Sequence, residues 1–153
     1  MNLSAAQVRT RFARSLVAVL GTADAEGATH LVPVTFLVSD DLVFIAIDGK
    51  PKRSTDLKRL RNIAANPRVC LLAQHYEADW SRLWWARADG TARVIGPEAV
   101  PEAVRDGLTA RYPWYAQNPP TGPVIEVAVQ RWSGWSFAEG GDENSAEGGT
   151  EAE

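Results

Sequence analysis

The sequence LVFIAIDGKPKRS at residues 42–54 joins an apolar β-strand pattern to a basic segment, and a helical pattern follows at residues 55–65. Between residues 50 and 61 the chain carries six basic side chains and one acidic side chain, although its formal net charge is −3. All three lysines of the protein lie in this interval. Positive charge is therefore concentrated at one strand-to-helix junction, which is where a bound anion is most favourable.

The residue types at this junction indicate a phosphate-binding site. Lys50, Lys52 and Arg53 can each donate charge-assisted hydrogen bonds, worth about 1.5–3 kcal/mol, to phosphate oxygens. Ser54 is a candidate N-cap for the helix that follows. The alternative interpretation is a basic patch that only contacts solvent.

Length and composition predict one folded domain and an acidic tail. A chain of 153 residues is large enough to bury a core without disulfide bonds or metals. From residue 138 onward it holds six acids, no base and several glycines, which predicts a disordered tail after a folded domain at residues 5–137. The folded part retains 16 basic and 13 of the 19 acidic side chains, too weak a charge for general nucleic-acid binding.

The single cysteine and the apolar runs indicate the cellular compartment in which we expect the protein. Cys70 excludes an internal disulfide, and its position in the run VCLL at residues 69–72 predicts a buried, unreactive thiol. No secretory or membrane-spanning segment is recognisable, since the longest early apolar run covers only residues 16–20. We therefore expect a soluble cytoplasmic protein without a metal cluster.

The first half of the chain predicts a short helix and three strands. Ser4 and Gln7 form a capping-box pattern before a helix at about residues 5–14. Three antiparallel strands in a meander are expected at residues 16–22, 29–38 and 42–48, and the first turn ends in Gly27. Pro33 indicates an edge position, a bulge, or backbone left open for a ligand.

The second half adds strands and helices in an order that favours a barrel. Strands are expected at residues 68–76, 82–95 and 124–137, and helices at 55–65 and 101–111. Alternation in the strand at 82–95 places Trp84, Ala86, Ala88, Ala92 and Val94 on one face, and Gly90 is a candidate bend. About six strands with three helices fit a mainly β (α+β) antiparallel barrel better than a parallel α/β fold.

Four stretches of the sequence together resemble a known family. They are HLVPVTF at 30–36, FIAI at 44–47 leading into KPKR at 50–53, residues 60–69, and HYEADWSRLWWARADG at 75–90. This ordered set resembles the pyridoxamine phosphate oxidase-like split β-barrel proteins, whose fold is the FMN-binding split barrel. Within that family, residues 75–90 are similar to the actinobacterial branch that uses the deazaflavin coenzyme F-420.

The resemblance implies a homodimer with two cofactor sites at the subunit interface. It implies that a basic group holds the cofactor phosphate, that one strand segment lines the ring system through its backbone, and that an aromatic group from the partner chain closes the site. In this sequence the basic group is Lys50, Lys52, Arg53 and Ser54, the strand segment is Pro33, Val34 and Thr35, and the aromatic group is Tyr76, Trp80 and Trp84.

The activity implied is transfer of a hydride from a reduced deazaflavin to an unsaturated organic substrate. The cofactor supplies the difficult chemistry, so no side-chain nucleophile or metal is required. The alternatives are the same barrel with FMN, or a carrier that binds the cofactor without turnover. His30 is interpreted as a strand residue with a satisfied ring and His75 likewise, with proton donation to the substrate as the alternative for His75. A nucleic-acid-binding barrel is disfavoured because residues 50–61 contain no aromatic stacking residue.

Overall fold

The computed structural model describes residues 1–47 and 57–138. Their helices are α1 (Ala5–Arg14), α2 (Lys58–Ala65), α3 (Glu102–Arg111) and α4 (Trp114–Gln117). Their strands are β1 (Ala18–Ala23), β2 (Thr29–Val34), β3 (Phe36–Ser39), β4 (Leu42–Ala46), β5 (Arg68–His75), β6 (Trp84–Ile95) and β7 (Val124–Ser136). Short 3-10 turns at Trp80–Arg82 and Pro97–Ala99 complete the described elements.

The seven strands form one sheet in the order β2-β1-β5-β6-β7-β4-β3, and every pairing is antiparallel. The two edge strands, β2 and β3, are separated in the chain by Thr35 alone. A flat seven-stranded sheet would hold its edges about 29 Å apart, so one residue can join them only if the sheet curls back on itself. The predicted antiparallel split barrel is confirmed, with four described helices instead of three.

The strand predicted at residues 29–38 is divided in two. Residues up to Val34 pair with β1, whereas residues from Phe36 onward pair with β4 at the other edge of the sheet. The simple three-strand meander was therefore wrong. Alternation continues through Thr35, and hydrophobic periodicity carries no information about a change of pairing partner.

The barrel core is closed at one end by α1. This helix begins at the predicted capping box, in which the Ser4 hydroxyl accepts from the Gln7 N–H and the Gln7 side chain accepts from the Ser4 N–H. Val8 and Phe12 are fully buried in the barrel core, and the Phe12 ring lies 4.9 Å from that of Phe36. A second apolar cluster lies beneath α3, where Leu108 is fully buried.

The helix after the basic junction begins later than expected. α2 begins at Lys58, with Leu57 in the N-cap position and no side-chain cap. Ser54 itself, with Lys50, Lys52 and Arg53, lies outside the described residues. The predicted acidic tail lies outside them from Glu139 onward.

The alternation predicted for the long strand β6 is confirmed on its barrel side. Ala86, Ala88 and Ala92 are buried there, and Trp84 packs against the same core. The prediction was wrong for Val94, which is 41% exposed, while Ile95 is buried in the second apolar cluster. The register with β7 shifts between Asp89 and Gly90. Asp89 pairs with Arg131 and Gly90 with Val129, so the extra residue at this irregularity is Gln130 of β7 and not Gly90.

Cys70 differs from its prediction. Its side chain lies on the outer face of β5 and is exposed, because only the alternate residues Val69 and Leu71 reach the core. Partial burial raises the pKa of the Cys70 thiol, and the nearby Asp89 carboxylate raises it further. The run VCLL is apolar on both faces, but one of those faces lies outside the barrel. No helix in the described parts of the chain is long and apolar enough to cross a bilayer.

Replacement of Gly90 by alanine tests the packing of β6 against β7. The new Cβ would lie 2.2 Å from the carbonyl oxygen of Ala128, so one backbone must shift. We expect Gly90→Ala to lower the free energy of unfolding by about 1–3 kcal/mol in urea denaturation. Gly96→Ala is the control, since its nearest neighbour would be a Glu98 oxygen at 3.8 Å. Equal midpoints for the two variants would contradict the tight strand contact.

Candidate functional site

Thr35, at the corner between the two edge strands, is held by α4. Its Oγ1 lies 2.7 Å from the hydroxyl oxygen of Tyr115, a residue that is buried in the second apolar cluster. The end of the predicted strand segment is therefore fixed by a side-chain contact with α4. Thr35 was predicted as a ring-lining residue. In the structure it lies between β2 and β3, where its contact with Tyr115 fixes the position of the backbone.

Tyr112 holds the next residue in the same way. Its hydroxyl accepts from the backbone N–H of Phe36 at 3.1 Å and donates to the carbonyl of Leu16 at 2.9 Å. Arg111 donates to that hydroxyl at 3.2 Å and to the carbonyl of Ser15, while its guanidinium lies 5.2 Å from the Phe36 ring centre. Through Tyr112 and Arg111, these contacts link the corner to the residues just before β1.

The contacts of Tyr112 and Tyr115 with the corner, which we call the tyrosine clamp, were not predicted from the sequence. The residues Tyr112-Pro113-Trp114-Tyr115 predict the end of a helix and nothing more. Two tyrosines separated by a tight turn are a usable signal for buried hydroxyl contacts, but their partners lie about 80 residues away in the chain. No local pattern reveals such a distant contact.

Pro33 and Val34 lie on the edge strand that approaches the corner. Pro33 is exposed and pairs with Val19, and no strand covers the outer side of β2 in the described sheet. The edge position predicted for Pro33 is confirmed. The Val34 side chain is buried in the barrel core, so this residue can offer only its backbone to a ligand.

The aromatic group lies around the loop between β5 and β6. Tyr76 and Trp80 are 63% and 61% exposed, and their rings meet edge to face with centres 6.2 Å apart. Trp84 is half-buried at the start of β6, with the guanidinium of Arg11 5.5 Å from its ring centre. Tyr76 and Trp80 thus share one exposed surface, and Trp84 lies across the sheet from His75, the residue before Tyr76; we call these three residues together the aromatic face.

The loop beneath the aromatic face is organised by acidic side chains. Asp79 accepts from the backbone N–H of Ser81 at 3.0 Å and from its hydroxyl at 2.6 Å. These two hydrogen bonds, with the side-chain contribution the larger, lower the pKa of the Asp79 carboxyl. Glu77 is hydrogen-bonded to Nε2 of His75 and lies 3.6 Å from Nε of Arg82. The Asp79 carboxylate therefore caps the turn at Ser81.

The corner and the aromatic face lie at the same end of the sheet. Val19 pairs with Leu72, so extending the register by three residues places His75 across from Leu16, whose carbonyl binds Tyr112. At the usual strand spacing the corner and the aromatic face are about 10–15 Å apart along the sheet. No hydrogen bond or ring contact between described residues joins the two groups within one chain.

His30 lies near the opposite end of β2. It pairs with Thr22, whose hydroxyl accepts from the side-chain amide of the buried Asn62 on α2. The Nδ1 atom of His30 is buried and has no hydrogen-bond partner among the described residues, which differs from the satisfied ring that was expected. Within residues 1–47 and 57–138, no cluster of His, Cys, Asp and Glu has the geometry of a metal site.

A double-mutant cycle tests whether α4 holds the corner. Thr35→Val and Tyr115→Phe each remove one side of the partly buried hydrogen bond, so their effects on the free energy of unfolding should be non-additive by about 1 kcal/mol. Urea denaturation of the two single variants and the double variant measures this coupling. Tyr76→Phe, which removes an exposed hydroxyl, is the control and should change stability by less than about 0.5 kcal/mol. Additive effects would show that the 2.7 Å contact contributes nothing to the corner.

Comparison with known proteins agrees with the architecture. The profile of the pyridoxamine 5'-phosphate oxidase family matches residues 4–136. None of the curated proteins matches this chain in sequence. Among solved structures, a conserved hypothetical protein from Mycobacterium tuberculosis is similar with a TM-score of 0.68 at 19% identity, over 92% of this chain and 94% of that one.

Two further structures have the same fold with different named ligands. A FAD-binding protein from Mesorhizobium loti gives a TM-score of 0.67 at 18% identity, over 88% of this chain and 93% of that one. The heme storage protein HutZ from Vibrio cholerae gives 0.62 at 16% identity, over 82% and 87% of the two chains. At these identities the likeness shows the fold, whereas the family profile covers nearly all of the described domain. The chain belongs to the pyridoxamine 5'-phosphate oxidase family.

Proposed function

We propose that this protein is a homodimeric, cytoplasmic oxidoreductase that uses the deazaflavin coenzyme F-420. It transfers a hydride from the reduced cofactor to an unsaturated organic substrate. The observation that carries the proposal is the open edge of β2 beside the clamped Thr35 corner, in a chain of this family. An uncovered strand edge with fixed geometry offers backbone groups to the edge of a heteroaromatic ring.

The described residues fit a planar heteroaromatic ligand. Pro33 exposes an apolar ring next to peptide groups that are not covered by another strand. Tyr76 and Trp80 supply a large exposed aromatic surface at the same end of the sheet. Because the two groups lie about 10–15 Å apart in one chain, a ring packed between them is better served by the corner of one protomer and the aromatic face of its partner.

The role proposed for each group of residues follows from these positions. Pro33, Val34 and Thr35 would align the ring through their backbone, while Trp80, with Tyr76 and Trp84, would exclude water from it. Lys50, Lys52, Arg53 and Ser54 would hold the cofactor phosphate, on the evidence of their charge and of the family resemblance. The bound deazaflavin supplies two-electron hydride chemistry and disfavours reaction with oxygen.

A flavin is the second candidate cofactor. Two structurally similar proteins, from Mesorhizobium loti and Mycobacterium smegmatis, are named as FAD-binding proteins. A phosphate-binding segment does not distinguish FMN from a deazaflavin, and the preference for deazaflavin rests on the resemblance of residues 75–90. A non-catalytic carrier is the third candidate, since one structural relative is a heme storage protein.

Cofactor identity is tested by titrating the purified protein with each cofactor. We expect saturable quenching of deazaflavin fluorescence, and oxidation of the reduced form when enones or quinones are added. A yellow protein that copurifies with FMN and leaves deazaflavin fluorescence unchanged would contradict the proposal. Saturable deazaflavin binding without turnover across the substrate panel would favour the carrier.

The phosphate assignment predicts a large loss of affinity in Lys52→Ala with Arg53→Ala. Each side chain is expected to contribute about 1.5–3 kcal/mol, so the dissociation constant should rise at least about 100-fold. The control pair Arg68→Ala with Arg131→Ala removes the same charge from two exposed strand positions and should change affinity less than about threefold. Equal dissociation constants for the two double variants would remove the assignment.

A further inference from the structure

The aromatic face contains an imidazole that the proposed cofactor contacts do not use. His75 is the last residue of β5, next to Tyr76 in the chain and directly across from Trp84 in the sheet. Cross-strand pairs of this kind bring Cβ atoms to about 5 Å on the same face of the sheet. His75 is therefore adjacent to Tyr76 and Trp84, two of the three residues proposed to close the cofactor site.

Glu77 fixes the orientation of this imidazole. Its Oε2 is hydrogen-bonded to Nε2 of His75, and the Arg82 guanidinium lies 3.6 Å from the same oxygen. The other ring nitrogen, Nδ1, makes no hydrogen bond to the described residues. A carboxylate on one nitrogen assigns the proton to that nitrogen and leaves the second nitrogen for a ligand.

We propose that His75 donates the proton that completes substrate reduction, and that Glu77 positions it. This inference rests on the proposed function. In its protonated form the ring donates Nε2–H to Glu77 and presents Nδ1–H to the substrate. The neighbouring charges are the Glu77 carboxylate, the Arg82 guanidinium, and Arg11 over the Trp84 ring.

The proposed step conserves atoms and electrons. A hydride from the reduced cofactor forms a C–H bond at the β-carbon of an unsaturated carbonyl compound, and the carbon–carbon π bond breaks. The electron pair released at the α-carbon takes the proton from Nδ1 of His75, which forms the second C–H bond. The substrate gains two electrons, the cofactor loses two, and water then returns a proton to His75.

Other titratable groups in the described chain are less suited to this step. The Asp79 carboxylate already accepts two hydrogen bonds from Ser81. The hydroxyls of Tyr112 and Tyr115 are engaged at the corner, and Cys70 lies on the outer face of β5. His75 combines a free ring nitrogen with a position inside the aromatic face.

The kinetic test compares His75→Gln and Glu77→Gln in the full-length protein. We expect both to bind deazaflavin with unchanged affinity, while single-turnover oxidation of the reduced cofactor by an enone slows by about 100-fold in His75→Gln. Added imidazole should restore part of that rate in a matching small-cavity variant, His75→Ala. Glu98→Gln, at an exposed turn residue, is the charge-matched control for Glu77→Gln.

An imidazole NMR spectrum gives an independent readout. The chain has two histidines, so a His30→Gln variant assigns the His75 nitrogens directly. We expect Nε2 to carry a proton that is hydrogen-bonded to Glu77, and this hydrogen bond should be lost in Glu77→Gln. We also expect the Nδ1 resonance to shift when a non-reducible enone analogue is added to the cofactor complex. An Nδ1 resonance unmoved by the analogue would overturn the proposal.

The outcomes separate the two proposals. If the wild-type protein neither binds nor oxidises the deazaflavin, the proposed function fails, and His75 loses its role with it. If the wild type turns over and His75→Gln turns over at the same rate, water supplies the proton, and only the assignment of His75 is wrong.

Discussion

The passage of the chain from one edge of the sheet to the other through Thr35 constrains the rest of the structure. Because one residue separates β2 from β3, the sheet has to curl, and its interior becomes a core that α1 can fill. The backbone N–H and C=O groups at this corner need hydrogen-bond partners, because leaving them unpaired would cost free energy. Tyr112 and Tyr115 supply those partners from the α3–α4 segment. The same contacts hold the open edge of β2 in one geometry.

The site proposed for the cofactor follows from this constraint. A closed barrel would have paired the outer side of β2, whereas the split barrel leaves it open beside a rigid corner. In the aromatic face at the same end of the sheet, Tyr76 and Trp80 are adjacent and largely exposed, which favours a partner or a ligand there. In the proposed arrangement, the corner and the aromatic face of one chain lie too far apart to act on one ring edge. A second chain brings them together in the arrangement that we propose.

The sequence predicted the elements of this fold better than their pairing. The capping box at Ser4 and the position of β5 could be read locally, because hydrogen-bond chemistry and alternation act over a few residues. The division at Thr35 and the exposure of Cys70 depend on the curled sheet, which no local pattern encodes. At the candidate site, the roles of Pro33 and Trp80 were predicted from the family resemblance and stay predictions. The tyrosine clamp was missed because its partners are distant in the chain.

The most direct measurement is a crystal structure of the protein with the oxidised deazaflavin bound. Our account predicts a dimer in which the ring edge meets the backbone of Pro33–Thr35 of one protomer. The opposite face of the ring should be covered by Trp80 and Tyr76 of the partner, with the phosphate at Lys52 and Arg53. A ring bound away from the β2 edge, or a phosphate bound by other side chains, would contradict the account.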